Sequence, residues 1–173
     1  MVTELNPEAL IADMAEALRA EIRARGIQDP LMIGIHTGGV WVAQRLHRLL
    51  GLSSELGTLD ISFYRDDFTR IGMNPQVRPS NLPFSVDDRH ILLVDDVLFT
   101  GRTVRAAMNE IFDYGRPASI LLISLVDRGG RELPIQANVV GRRLHLERSQ
   151  QVKLTGPEPL ELRVQDLAPG DRG

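Results

Sequence analysis

The stretch ILLVDDVLFTGRTVRAAMNEI, residues 91–111, constrains the fold more than any other part of the chain. Four apolar residues, Ile91 to Val94, run into two adjacent acids, Asp95 and Asp96, and then into a Thr-Gly-Arg-Thr turn. The turn opens a helical pattern over 102–114, with Val104, Ala107, Met108 and Ile111 on one face. A buried strand that ends in two carboxylates is costly, because each charge loses hydration unless something beyond the strand end uses it. The segment therefore predicts a strand–turn–helix unit whose turn holds a ligand, hydroxyl-rich on one side and anionic on the other.

The rest of the chain repeats the alternation. Asn6-Pro7-Glu8 reads as an N-cap, a first-turn proline and an early acid. Leu10, Met14, Ala17, Leu18 and Ile22 then keep helical spacing up to Gly26. LMIGI (31–35) is a short buried strand, HTGG (36–39) a loop, and VWVAQRLHRLL a helix running into Gly51. TLDISFY (58–64) alternates as a strand, whereas 65–89 holds three prolines and no sustained period. A segment of that length inside a compact domain is expected to be a lid, a hairpin arm or disordered. HILLV (90–94), ASILLISLV (118–126) and the shorter ANVVGRR are further strands, and LELRVQDL near the end is a strand or a helix. Apolar strands alternating with helices predict a mainly parallel sheet covered on both faces. Ligands of such sheets sit at the carboxyl ends of the strands. Loops 36–39, 95–103 and 127–131 should meet there.

Composition narrows the class. The 173 residues suit one domain, with 43% apolar and 25% charged residues. Cysteine is absent, which excludes disulfides and thiolate metal sites. The first segment carries Glu4, Glu8, Asp13 and Glu16 and does not read as a signal peptide, and no apolar run approaches the roughly 18 residues of a membrane helix. A cytoplasmic location without membrane contact is the expectation. The net charge of −3 argues against a surface that coats nucleic acid throughout, but not against a local basic face. Of the 20 basic residues, only Lys153 is lysine.

The turn itself dictates a chemistry. Backbone amides after Leu98 point outward with a helix dipole behind them, Gly101 permits close approach, and Thr100 and Thr103 add hydroxyls, which together make a phosphate site. Asp95 and Asp96 lie several residues earlier and suit sugar hydroxyls, for which a carboxylate is a strong acceptor. A ribose 5′-phosphate fits both ends. Response-regulator receivers also carry an acidic pair, but theirs follows the first strand and needs a later lysine after the last one. Neither Gly-x-Gly-x-x-Gly nor a Walker loop is present.

ILLVDDVLFTGRT resembles the 5-phosphoribosyl-1-diphosphate (PRPP) motif of type I phosphoribosyltransferases. LDISFYRDD, VRAAMNEIFDYGRPASI and LVDRGGRELPIQANVVGR are similar to the pyrimidine-operon regulator/uracil phosphoribosyltransferase (PyrR) family, over about residues 8–155. The resemblance implies a single type I phosphoribosyltransferase domain over 1–173. Its mainly parallel sheet would be flanked by helices, with a flexible loop at about 65–89. A small hood would form from about 127–173 plus the N-terminal segment. It implies the reaction of uracil with PRPP to give UMP and diphosphate, with Mg²⁺ carried by PRPP rather than bound directly by the protein. Asp95 and Asp96 would hold the ribose, and Val97, Leu98, Phe99, Thr100, Gly101, Arg102 and Thr103 the 5′-phosphate. Thr37, Gly38 and Gly39 stand at the diphosphate loop, where better-known members have an arginine at the position of Gly38; His36 is a partial substitute. Arg78, then Arg70, would reach the diphosphate from the flexible loop. Val126, Asp127, Arg128 and Val152 would frame the base, while Trp41 belongs to the core and Phe99 packs the phosphate loop.

The family's second activity is UMP-dependent binding of pyrimidine-operon leader RNA. Arg19, Arg23, Arg142, Arg143, Arg148 and Lys153 are the matching basic residues, with Arg25 beside them on the first helix; GRRLHLERSQQVKL sets four basic residues against one acid. A homodimer or larger homo-oligomer is implied. Two other readings remain open: transfer to another base such as hypoxanthine or orotate, and a catalytically weak nucleotide sensor, to which the missing arginine points.

Overall fold

The computed structural model describes residues 3–61 and 80–170. The chain begins with strand β1 (Thr3–Leu5) and helix α1 (Pro7–Ala24). Asn6 caps α1 by accepting from the Ala9 amide at 3.1 Å, with Pro7 and Glu8 in the first turn as the sequence predicts. Strand β2 (Leu31–Ile35) leads into helix α2 (Gly38–Leu50), which starts two residues earlier than expected, so Gly38 and Gly39 belong to its first turn. Strand β3 (Gly57–Leu59) is shorter than the predicted 58–64, of which 62–64 lie outside the described residues. The expected loop is described only from residue 80 onward; Thr58 and Asn81 form a two-way backbone bridge at 2.8 Å.

Strand β4 (His90–Leu98) does not stop at the acids, as the sequence suggests, but carries Asp95 and Asp96 within it. Helix α3 (Arg102–Tyr114), strand β5 (Ser119–Asp127) and strand β6 (Val139–Arg143) follow near their predicted places. Strands β7 (Gln150–Thr155) and β8 (Glu161–Asp166) close the chain. LELRVQDL is thus a strand, and its partners β1 and β7 were not anticipated, being short, polar and without a clear period.

Two sheets result. The larger has the order β3-β2-β4-β5-β6, with every neighbour parallel. The smaller is antiparallel, order β1-β8-β7, and joins the two ends of the chain. Side-chain alternation explains why β4 reads as continuously apolar: Leu92 and Val94 enter the cluster beneath α1 and α2, while Ile91 and Leu93 enter the one beneath α3. All four are fully buried, each worth about 1.5–3 kcal/mol relative to exposure. Gly34 lets α2 seat on the sheet, since a Cβ there would stand 2.9 Å from both Ala43 Cβ and Val40 Cα. Leu154, Leu160 and Leu162 join the α1–α2 cluster and fasten the small sheet to the core. No helix among the described residues is long and apolar enough to cross a membrane.

Candidate functional site

The central strand delivers the acids. Asp95 lies beside Ser124 and Leu98 beside Asp127 in the parallel register of β4 with β5, so all four stand toward the carboxyl end of the sheet. Asp95 is 5% exposed, and its Oδ1 accepts from the Asp96 amide at 2.8 Å. Asp96 is half-buried, and its Oδ1 accepts from the Val97 amide at 2.9 Å. These local bonds fix the carboxylates against their own strand. Beneath them, the buried Ser124 hydroxyl donates to the Val126 carbonyl at 2.7 Å.

Helix α2 meets the same place with its first turn. A Cβ on Gly38 would fall 2.2 Å from Asp96 Oδ2, and one on Gly39 would fall 2.7 Å from the Val94 carbonyl and 3.0 Å from Asp95 Cα. The two glycines therefore let the amide end of α2 rest against the acids. Thr37 makes no side-chain cap and the first turn holds no acid, so the positive end of the helix dipole faces this contact. His36, before it, is tied to β3 through a 2.9 Å amide bond to the Leu59 carbonyl.

The turn after β4 gives a second helix start. Gly101 adopts φ +97° at the N-cap of α3, which again has no acid in its first turn. Thr100 Oγ1 accepts from the Arg102 amide at 3.2 Å. Phe99 is 44% exposed; rather than packing the turn from inside, it lies beneath the Arg128 guanidinium, 3.9 Å from the ring centroid. Its ring also covers Gly130, where a Cβ would meet Phe99 Cε1 at 2.6 Å.

At the end of β5, Asp127 is bound on both oxygens: Oδ1 accepts from the Gly129 amide at 3.0 Å and Oδ2 from Arg131 Nη2 at 2.6 Å. Burial opposes its ionisation, but the Arg131 hydrogen bond, the Gly129 amide and the charges of Arg131 and Arg143 outweigh it and hold the carboxyl below its ordinary range. Burial also lowers the Arg128 guanidinium, whose Nε is enclosed without an acceptor. Val126 is fully enclosed, and Val152 on β7 packs against the same α1–α2 cluster as Trp41 and Val97, so these valines meet the core.

Loops 36–39, 95–103 and 127–131 are thus at one end of the sheet as expected. Arg70 and Arg78 lie outside the described residues. Of the basic residues, Arg23, Arg142, Arg143, Arg148 and Lys153 are exposed, and Arg19 is engaged by Glu16 and the Leu49 carbonyl. Arg143, exposed like the others, also stands beside Asp127 in the β5–β6 register. Two residues that matter here escaped the sequence reading. Arg131 follows Asp127 by four positions outside any helix, and Ser124 sits unmarked in an apolar strand; neither leaves a periodic signal.

Residues 1–159 match the phosphoribosyl transferase domain family. The bifunctional protein PyrR of Nitrosococcus oceani is 62% identical over 167 residues, covering 95% of this chain and 94% of that protein. The bifunctional protein PyrR of Pseudomonas fluorescens is 60% identical over 163 residues, covering 94% of this chain and 97% of that protein. Among solved structures, the hypoxanthine phosphoribosyltransferase of Trypanosoma cruzi superposes with a TM-score of 0.68 at 20% identity, covering 94% of this chain and 93% of that one. That of Staphylococcus aureus gives 0.62 at 21% identity, covering 85% of this chain and 79% of that one. These last two likenesses concern the fold, a five-stranded parallel sheet flanked by helices.

Proposed function

The chain belongs to the phosphoribosyl transferase domain family and, within it, to the bifunctional PyrR proteins; on that premise we propose that it converts uracil and PRPP to UMP and diphosphate, and binds pyrimidine-operon leader RNA in response to UMP. The observation that carries the reading is the Asp95–Asp96 pair on a central strand, set between the N-terminal turns of α2 and α3.

Each element has a part. Asp95 and Asp96 accept from the ribose hydroxyls and face the positive charge that develops on the ribose as its bond to diphosphate breaks. The turn from Leu98 to Thr103 takes the 5′-phosphate on its amides and hydroxyls, as an α3 start without an acid favours. Thr37, Gly38 and Gly39 offer the diphosphate the amide end of α2. Arg128, its guanidinium over the Phe99 ring, and the backbone around Val126 and Asp127 border the base. Most of the rate then comes from alignment and charge stabilisation, with little covalent work for the protein. Among the described residues no group of three or more His, Asp or Glu is placed to hold a metal ion. A Mg²⁺ ion would come with PRPP, where Asp95 and Asp96 would hold its water and the ion would supply charge neutralisation for the diphosphate leaving group.

The test is UMP formation from uracil, PRPP and Mg²⁺, with hypoxanthine and orotate as competing bases and leader RNA binding measured with and without UMP. Asp95→Asn should lower turnover by about 100-fold or more. Preference for another base would sink the uracil assignment, and RNA affinity that ignores UMP would sink the regulatory half. A second reading has its own observation. Position 38 supplies no cation and is packed against Asp96, so nucleotide binding without turnover would mark a sensor. We further infer a homodimer or larger homo-oligomer, read directly from sedimentation.

A further inference from the structure

Resting on the transferase reading, we propose that Arg131 is a positioning residue that clamps the phosphate turn to the base-side strand, so that the ribose phosphate and the base are held in one alignment. Its guanidinium donates in three directions: Nη1 to the Phe99 carbonyl at 2.8 Å, Nη2 to Asp127 Oδ2 at 2.6 Å, and Nε to the Ile135 carbonyl at 2.7 Å. These acceptors belong to the turn after β4, the end of β5 and the far end of the loop after β5. A planar fork with fixed donor directions can serve all three at once, which a lysine ammonium on a flexible stem does less well.

The backbone repeats the join. The Glu132 and Leu133 amides both donate to the Thr100 carbonyl, at 2.9 and 3.1 Å, and the Arg128 amide donates to the Leu98 carbonyl at 3.1 Å. Glu132 also pairs with Arg102 at 3.0 Å, but there both side chains are about half exposed, and such a pair contributes little. Arg131 is better enclosed, at 23% exposure against 12% for Asp127. Among the described residues it bonds both to the phosphate turn, at the Phe99 carbonyl, and to the Asp127 carboxylate. Asp127, both oxygens already engaged, accordingly serves the clamp, and Arg128 is left to meet the base.

The clamp predicts a loss of alignment rather than of binding. A displacement of about 1 Å between reacting groups costs roughly 100-fold in rate. In Arg131→Ala, kcat should fall by about that factor while KM for PRPP changes by less than about threefold. Arg131→Lys should recover only part of kcat, and added ethylguanidine should raise kcat of the alanine variant. Arg131→Ala combined with Asp127→Asn should lose no more than the worse single variant. Independently of activity, amide hydrogen exchange should speed up together in 98–103 and 127–135 of Arg131→Ala, while β2 and the core of β4 keep wild-type protection. Unchanged exchange in both loops, or a kcat within about twofold of wild type, would overturn the clamp. Wild-type protein that makes no UMP would count against the transferase reading instead, and the exchange experiment would still decide the clamp.

Discussion

At Gly38 and Gly39 the chain omits two side chains where helix α2 touches the acids of β4, and the two omissions differ in kind. A Cβ on Gly39 would meet backbone, the Val94 carbonyl and Asp95 Cα, which cannot turn aside. A Cβ on Gly38 would meet the end of the Asp96 side chain, which can rotate. Gly39→Ala should therefore destabilise the fold by about 1–3 kcal/mol, as overpacking does. Gly38→Ala should fold with a smaller loss but lower turnover, because it displaces Asp96, the carboxylate proposed to hold the ribose. Urea unfolding beside UMP formation separates the two. At this scale the sequence marks Asp95, Asp96 and Gly101 clearly, since unusual residue types stand at a strand end. It does not mark Arg131 or the place of Arg143 beside Asp127, because an arginine in a loop looks alike whether it is solvated or clamped.

Strand β4 is the element that unites core and site. Leu93 is buried in the α3 cluster and Leu92 and Val94 in the opposite one, so the strand is gripped on both faces up to the residue before Asp95. Leu93→Ala should cost about 2–5 kcal/mol, seen as a lower urea midpoint, and should loosen the acids with it. The four-residue apolar run made the strand visible, but its extension to Leu98 was not. Its ladder with β5 continues as far as Leu98↔Asp127, and pairing of that kind is invisible in either strand alone. Helix α2 shows the converse: glycines read as loop, yet packing against β4 makes them the first helical turn.

In the whole molecule, the small sheet must be fixed to the large one, and Arg45 contributes to that. It is 8% exposed on α2 and donates to Glu8 at 2.7 Å, to the Trp41 carbonyl at 3.2 Å and to the Pro157 carbonyl at 2.8 Å. It thereby joins both helices of one layer to the turn between β7 and β8. Arg45→Ala leaves two carbonyls short of a donor and should cost about 1–3 kcal/mol, with thermal unfolding as the measurement. Its side effect should be on the small sheet first, since β4 and β5 have their own apolar cover.

The sequence by itself determined the parallel sheet, the helix over 102–114 and the acids with their Thr-Gly turn, because period, apolar runs and backbone-specific residues act over a few positions. The small sheet was decided only by tertiary structure: β1 and β8 are joined from opposite ends of the chain, Thr3 beside Val164 and Leu5 beside Leu162. The same holds for the clasp of Arg131 between two loops and for Arg143 beside Asp127. Such contacts depend on which distant segments are brought within hydrogen-bond reach, and that distance is a property of the packed layers rather than of any local pattern.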